Sequence, residues 1–343
     1  MPHGCLSVVP TTGTVIPRGR LYGAMAPHPM NPSPALLLSG SGASWQNPPP
    51  TVFTYDTTAA VWEEHVCTGD NPLPLTHHTC NALTSHGGLL MVTGGCRGPH
   101  VSSSVCTLDA ATWEWRWRGN GPHMVHAHSS GYDAVRGCVY IFGGEIQEDT
   151  SNMLYQIDVE TWEWSYILAT SAFQKPRPRM YHSSCTTSDR VMYIYGGAPG
   201  VGNTKPEDEV LDDLWAFDMA THVWKEMPKC GAVPSRRGSA VLQPLEASPF
   251  LLLFGGFDGA TALGDGHLYD TARGGWMRLD LGTLVHPRVA PASFVMGLTV
   301  FVHGGMHDDT FSRDFHVSNE MLTVSLQNLT PGTLKFMAAH FLV

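Results

Sequence analysis

The sequence lacks any apolar run that approaches the roughly 20 residues a helix needs to cross a bilayer, so no membrane insertion is expected. The N-terminus has no basic region followed by an apolar core, so no signal peptide is expected. The eight cysteines are scattered and form no Cys-x-x-Cys pair, which indicates reduced thiols rather than a disulfide framework. Together these absences predict a cytoplasmic protein.

Basic residues are scarce as well, since 20 Lys and Arg stand against 30 Asp and Glu, for a net charge of −10. An acidic chain is a poor general partner for nucleic acid. No stretch of the sequence indicates a second domain, so residues 1–343 are predicted to form one domain, monomeric in isolation.

Catalytic motifs are also missing. No Gly-x-Ser-x-Gly occurs, and residues 197–204 have the glycine spacing of a phosphate loop but carry Asn203 where lysine is required. The histidine pairs that could converge on a metal show no recognisable ligand spacing; they are His77 with His78, His126 with His128, and His303 with His307. We therefore expect no catalytic residue, no cofactor and no metal.

What the sequence does contain is a repeat built around five Gly-Gly doublets. Each doublet ends a short apolar run, and the first glycines are 49, 53, 59 and 49 residues apart. One unit of about 50 residues repeated in series is typical of propeller blades. The doublets are Gly94-Gly95, Gly143-Gly144, Gly196-Gly197, Gly255-Gly256 and Gly304-Gly305.

One repeat shows the physical pattern. Residues 137–142 form a β-branched and aromatic run that predicts a strand, and the doublet at 143–144 ends it. A second strand then runs to Asp158, whose side chain can accept hydrogen bonds from a tight turn, and Trp164 follows. A degenerate copy with its doublet near residue 40 brings the number of predicted units to six.

The apolar strand, the Gly-Gly doublet, the Asp and the later Trp resemble the kelch repeat over nearly the whole chain. The resemblance implies an all-β fold, a six-bladed kelch-type β-propeller of four-stranded antiparallel blades. It also implies that the tryptophans pack between blades. The last unit lacks its terminal Trp, and Leu6–Val9 align with the missing strand. We expect this N-terminal strand to complete the last blade, while the role of the tail, residues 330–343, stays open.

The loops after the doublets and the linkers between blades should emerge on one face of the ring, called here the doublet face. Loops on a rigid scaffold commonly hold function. Arg and His recur in this region, and arginine forks suit carboxylates while a buried Trp suits a binding hot spot. The predicted partner-binding residues are Arg20, Trp45, His78, Arg97, His128, Arg179, His182, Arg236, Arg237 and Arg288. The alternative is that these side chains hold carboxylates between blades.

These patterns favour a non-catalytic adaptor or scaffold that binds a protein, with an acidic peptide or tail preferred. One alternative is a structural subunit of a larger cytoskeletal or trafficking assembly, in which Trp117 would be an exposed anchor. A second alternative is an enzyme acting on a small molecule or through a metal at the channel mouth. The acidic insertion at residues 198–211 is either a docking arm for a basic partner or a solvated loop.

Overall fold

The computed structural model describes residues 2–10, 15–30, 35–37, 40, 51–168, 174–200, 210–283, 286–307 and 317–326. Regular structure in this part of the chain consists of β-strands alone. None of the described residues forms a helix long and apolar enough to pass through a membrane. Trp45, residues 201–209 of the acidic insertion and the tail at 330–343 lie outside the described residues.

The strands belong to six sheets of four or more strands in the described part of the chain, called blades 1 to 6 in chain order. A first strand, β1 (Cys5–Val9), precedes blade 1. Blade 1 contains β2 (Met25–Pro27), β3 (Ala35–Leu37), β4 (Thr51–Asp56) and β5 (Val61–Val66). Blade 2 contains β6 (Thr68–Gly69), β7 (Thr79–Leu83), β8 (Leu89–Thr93), β11 (Ser104–Asp109) and β12 (Glu114–Asn120), and β9 (Cys96–Arg97) and β10 (His100–Val101) form a hairpin between its strands.

Blades 3 to 6 repeat this plan. Blade 3 contains β13 (Ser129–Asp133), β14 (Cys138–Phe142), β17 (Leu154–Asp158) and β18 (Trp164–Tyr166), with the hairpin β15 (Glu145–Ile146) and β16 (Asp149–Thr150). Blade 4 contains β19 (Ser183–Thr186), β20 (Val191–Tyr195), β21 (Leu214–Asp218) and β22 (Val223–Glu226). Blade 5 contains β23 (Val241–Pro244), β24 (Phe250–Phe254), β25 (Gly266–Asp270) and β26 (Gly275–Leu279), and blade 6 contains β27 (Ala292–Met296), β28 (Thr299–His303), β29 (Met321–Ser325) and β1.

One strand of each blade contacts the equivalent strand of the next blade in a closed circuit. β2 contacts β7, β7 contacts β13, β13 contacts β19, β19 contacts β23, β23 contacts β27, and β27 returns to β2. The sheets are thus arranged around a common axis with these strands innermost, and the predicted propeller fold is confirmed.

The hydrophobic core is divided among the interfaces between neighbouring blades. One cluster, for example, joins Phe254 and Leu268 of blade 5 to Val300 and Val324 of blade 6. Trp62, Trp115, Trp224 and Trp276 are almost completely buried in four such clusters. The predicted packing of tryptophans between blades is confirmed at these positions.

The predicted aspartate turns are present between the last two strands of five blades. The Oδ1 of Asp158 accepts hydrogen bonds from the amides of Glu160 and Thr161, both at 2.9 Å. The same pair of bonds recurs at Asp56, Asp109, Asp218 and Asp270. Each carboxylate therefore fixes a turn on the face opposite the doublet face, where it satisfies two backbone donors.

The N-terminal strand completes blade 6, as predicted. β1 pairs antiparallel with β29, from Cys5 opposite Ser325 to Val9 opposite Met321. Leu6 is 3% exposed and packs into the cluster between blades 5 and 6, whereas Val8 is 42% exposed. Pairing the two ends of the described chain in one sheet leaves no open edge at the join between them.

We predict that Leu6→Ala lowers the free energy of unfolding by about 2–5 kcal/mol, because it opens a cavity at the closing strand. The matched variant Val8→Ala should cost only about 0.5 kcal/mol, because that side chain faces solvent. Urea denaturation of both variants measures the difference. Equal losses would show that β1 does not contribute to the core.

Candidate interaction face and channel mouth

A ring of six backbone hydrogen bonds surrounds the channel on the doublet face. Each blade contributes one residue, placed shortly before its innermost strand, and its amide donates to the carbonyl of the equivalent residue in the preceding blade. The six N···O distances lie between 2.7 and 3.1 Å, and the six φ angles lie between 51° and 57°. These mouth residues are Tyr22, His77, Ala127, Tyr181, Ser239 and Ala290.

Aromatic side chains from three blades meet over this ring. Tyr22 stacks on His77 with ring centroids 3.7 Å apart, and Tyr181 lies 5.7 Å from Tyr22 and 5.6 Å from His77. Because the three residues belong to blades 1, 2 and 4, their contacts cross the mouth of the channel. Burial, followed by the neighbouring charges of His126 and His78, lowers the pKa of His77 to about 3. These ring contacts make the mouth a packed aromatic cluster, which lies beside a cavity of about 140 Å³.

Three predicted histidines line the wall of this cavity. His78, His128 and His182 are buried at equivalent positions of blades 2, 3 and 4. His128 Nε2 lies 3.0 Å from Thr79 Oγ1, and His182 Nε2 lies 2.7 Å from Ser129 Oγ, so these two rings connect neighbouring blades. Burial lowers the pKa of His78 to about 4 and of His128 to about 3. These histidines are neutral near pH 7 and supply no positive charge.

Beyond the histidines, the channel between the innermost strands opens into a cavity of about 750 Å³. Its wall carries short polar side chains that pair between blades. Asn81 Nδ2 donates to Ser130 Oγ at 2.6 Å, and Gln243 Nε2 donates to Ser293 Oγ at 3.1 Å. These bonds satisfy the four paired side chains and connect neighbouring innermost strands.

Four predicted arginines are buried beneath the doublet loops. Arg179, Arg237 and Arg288 are 0% exposed and Arg20 is 6% exposed. Arg237 donates to both oxygens of Asp265, at 2.6 and 3.0 Å, and to the carbonyl of Gly255 at 3.0 Å. Arg179 binds Asp213 and the Gly196 carbonyl in the same way, and Arg288 donates to Glu320 at 2.6 Å.

The same arginine backbones also connect adjacent blades. The second glycine of a doublet donates its amide to the carbonyl of an arginine in the next blade, as Gly197 does to Arg237 at 3.0 Å and Gly256 to Arg288 at 2.8 Å. Both glycines of each doublet have positive φ, between 60° and 101°, a region that side chains with a Cβ rarely occupy. The doublets thus let the backbone meet the neighbouring blade.

Electrostatics favour these buried ion pairs. Burial raises the pKa of Asp213, but the hydrogen bonds and charge of Arg179 outweigh this effect and hold it below its ordinary value. At Asp265 burial is likewise outweighed, by hydrogen bonds from His267 and Arg237. Both carboxylates remain charged near neutral pH. Arg20 differs, because its guanidinium lies over the Phe53 ring at 5.2 Å and burial lowers its pKa to about 10.

The structure buries seven of the ten predicted partner-binding residues inside the scaffold. The buried residues are Arg20, Arg179, Arg237, Arg288, His78, His128 and His182. Side-chain hydrogen bonds connect loops and blades at five of these positions, namely Arg179, Arg237, Arg288, His128 and His182. Sequence could not separate the two roles, because an arginine suits an internal and an external carboxylate equally well. Of the other three, Arg97 and Arg236 are exposed, and Trp45 lies outside the described residues.

Two further arginines are exposed on this face. Arg18 and Arg177 are exposed in the linkers that precede blades 1 and 4, two positions before a buried arginine. The mouth residues were not recognised as a set, because Tyr, His, Ala and Ser occupy the equivalent positions and leave no repeating residue type to detect. The position itself, shortly before each innermost strand, was the only signal.

The tryptophans of β12 and the turn before it have three different environments. Trp115 is buried between blades 1 and 2, and Trp113 stacks on His65 at 3.9 Å. Trp117 is 53% exposed, and its backbone amide donates to Asp70 at 3.2 Å. A single exposed Trp is common on protein surfaces, so Trp117 alone does not form an extended apolar patch.

A family model described as the KLHDC2/KLHL20/DRC7 Kelch-repeats domain matches residues 33–250, more than half of the chain. The chain belongs to the kelch-repeat family. The doublets, the aspartate turns and the tryptophans between blades are therefore kelch features in both sequence and structure.

Several kelch proteins are similar to this chain over long segments. The mouse protein named Rab9 effector protein with kelch motifs is 29% identical over 211 residues, which cover 58% of this chain and 52% of that protein. Its rat counterpart is 30% identical over 212 residues, covering 58% and 53%. Kelch domain-containing protein 10 of Bos taurus is 24% identical over 273 residues, covering 74% and 57%. The chain spans about half the length of these relatives.

We predict that Arg237→Met lowers the free energy of unfolding by about 3–5 kcal/mol, because it leaves Asp265 without its main cationic partner. The matched variant Arg236→Met, at the adjacent exposed position, should change it by about 0.5 kcal/mol. Urea denaturation of the two variants measures the difference in their free energies of unfolding. A small effect of Arg237→Met would return this arginine to the list of partner-binding candidates.

Proposed function

We propose that this kelch propeller is a non-catalytic interaction module that binds a protein partner on the doublet face. The observation that carries the proposal is the division of arginines on that face. Buried arginines fix the loops from within, and Arg18, Arg97, Arg177 and Arg236 are exposed on linkers and loops of blades 1, 2, 4 and 5. Exposed guanidinium groups on a stiff support suit the recognition of carboxylates.

The partner class follows from this chemistry and from the relatives. Guanidinium groups pair with carboxylates in a bidentate manner, so an acidic segment of a protein is the favoured ligand. The names of the mouse and rat relatives describe effectors of Rab9, so we propose a GTPase of the Rab class as the first partner to test. A cytoplasmic location is part of the proposal, because such a partner would be met there.

The doublet face is not uniformly basic, so the proposal predicts substitutions that strengthen partner binding as well as substitutions that weaken it. Glu148 and Asp149 are exposed at the tip and on β16 of the blade 3 hairpin. Like charges facing each other across an interface weaken binding and suppress wrong partners. Removing these two carboxylates should therefore strengthen the binding of an acidic ligand on the same face.

We predict that Arg97→Glu/Arg177→Glu/Arg236→Glu weakens partner binding at least tenfold, because three carboxylate contacts become repulsive. Glu148→Lys/Asp149→Lys should strengthen it. The measurement is capture from native lysate with quantitative mass spectrometry, followed by titration of Rab-class GTPases loaded with GDP or a GTP analogue.

The control is Arg116→Glu/Lys225→Glu/Arg273→Glu, which introduces the same change in charge at exposed positions on outer strands and on the opposite turn face. It should leave binding unchanged. Equal loss in both triple variants would reduce the effect to net charge and contradict a specific site. Loss in Trp117→Ala alone would move the interface to the outer strand of blade 2 and favour the structural-subunit alternative.

A further inference from the structure

Three metal-ligating side chains converge beside the channel mouth, between blades 2 and 3. His77 is a mouth residue, Cys96 follows the second glycine of the blade 2 doublet, and His126 directly precedes the mouth residue of blade 3. One ring nitrogen from each histidine and the cysteine Sγ all lie within 4.8 Å of one another. In the described part of the chain this set is the one such group of three.

The spacing of Cys96 and His77 matches a shared metal. Zinc–nitrogen bonds of about 2.0–2.1 Å and zinc–sulfur bonds of about 2.3 Å, at a tetrahedral angle, separate the two ligand atoms by about 3.6 Å. The observed separation of Cys96 Sγ and His77 Nδ1 is 3.6 Å. All three ligand atoms lie within 4.8 Å of one another, so a small movement of the His126 ring would complete the set of three ligands.

The surroundings orient these ligands as metal sites commonly do. Glu145 Oε1 lies 3.5 Å from His126 Nε2, and the other ring nitrogen, Nδ1, is buried without a hydrogen-bond partner. A carboxylate on one ring nitrogen with the opposite nitrogen unused is the arrangement that supports histidine ligands from behind. Thr76 Oγ1 lies 3.3 Å from Cys96 Sγ and can donate to a thiolate.

The backbone holds the three residues in place independently of any metal. Thr76 and Cys96 exchange two backbone hydrogen bonds at 2.8 and 2.9 Å, and the amide of Glu145 donates to the His126 carbonyl at 3.0 Å. Tyr22 stacks on the His77 ring and fixes its plane. The site is therefore set by the ring and the doublet loops, which makes it preorganised.

We propose that His77, Cys96 and His126 bind one Zn²⁺ at the channel mouth, with Glu145 as the outer-shell partner of His126. Two imidazoles and a thiolate suit this borderline-soft cation, and three protein ligands leave the fourth tetrahedral position for water or a donor from a bound molecule. Sequence patterns favoured no metal, because the ligands come from three separate segments and Cys96 was not grouped with the histidines.

The test is zinc and cobalt binding to the full chain after dialysis against a chelator. We expect one Zn²⁺ per chain in competition with a chromophoric chelator, and a thiolate-to-cobalt charge-transfer band when Co²⁺ replaces it. Cys96→Ser should abolish the band and weaken zinc binding at least tenfold. Glu145→Gln should weaken zinc binding about 10–100-fold while the cobalt band remains.

Matched controls are Cys230→Ser and His100→Ala, which remove an exposed thiol and an exposed imidazole. Both should bind zinc as the unaltered protein does. Thermal melting with and without Zn²⁺ separates lost ligation from lost folding, because only a folded chain with an intact site gains stability from the metal. Cys96→Ser should melt like the unaltered protein in chelator and gain nothing from zinc.

Two outcomes would overturn the proposal. Binding of less than one zinc per chain at micromolar concentrations would show that these side chains only hydrogen-bond one another. Binding that is unchanged in Cys96→Ser but lost in Cys230→Ser or His100→Ala would show adventitious binding at the surface.

Discussion

The closed ring of six backbone hydrogen bonds at the channel mouth is the constraint on which the rest of the doublet face depends. Each bond joins one blade to the next, so a shift of any blade along the axis would break two of them. Holding residues other than glycine at positive φ costs about 1 kcal/mol each, which the hydrogen bonds and the packing around them offset. The ring therefore keeps six modules in one register, and it also places Tyr22, His77 and Tyr181 across the mouth.

The Gly-Gly doublets and the buried arginines connect the doublet loops to the neighbouring blades that the ring holds in register. A doublet glycine bonds to the arginine backbone of the next blade, and the arginine side chain bonds to a carboxylate in its own blade, as in the Arg237–Asp265 pair. The arginine segments of blades 4, 5 and 6 are therefore anchored twice, by a backbone bond from the preceding doublet and by a buried ion pair. The exposed arginines at 18, 97, 177 and 236 lie on the surface of this support, which is why the proposed recognition is placed there.

Much of the fold could be predicted from the sequence because the same pattern of residues occurs in several successive units. The doublets, the aspartate turns and the tryptophans each recur at a regular spacing. The last repeat lacks its terminal Trp, which predicted that Leu6–Val9 would supply the missing strand and close the ring. The site was less predictable, because burial and exposure differ between adjacent arginines such as Arg236 and Arg237 with no change in residue type. The mouth residues share a backbone conformation rather than a side chain, so a search for recurring residue types could not reveal them.

The most direct test of this account is native-state hydrogen exchange of the backbone amides of the six mouth residues. If the ring holds the blades in register, these amides exchange only through global unfolding, with the same protection as the central strands. Exchange of the mouth amides at a much lower free energy, while the central strands stay protected, would mean that the mouth opens locally. The ring would then be a consequence of the blade packing and not the constraint that organises the face.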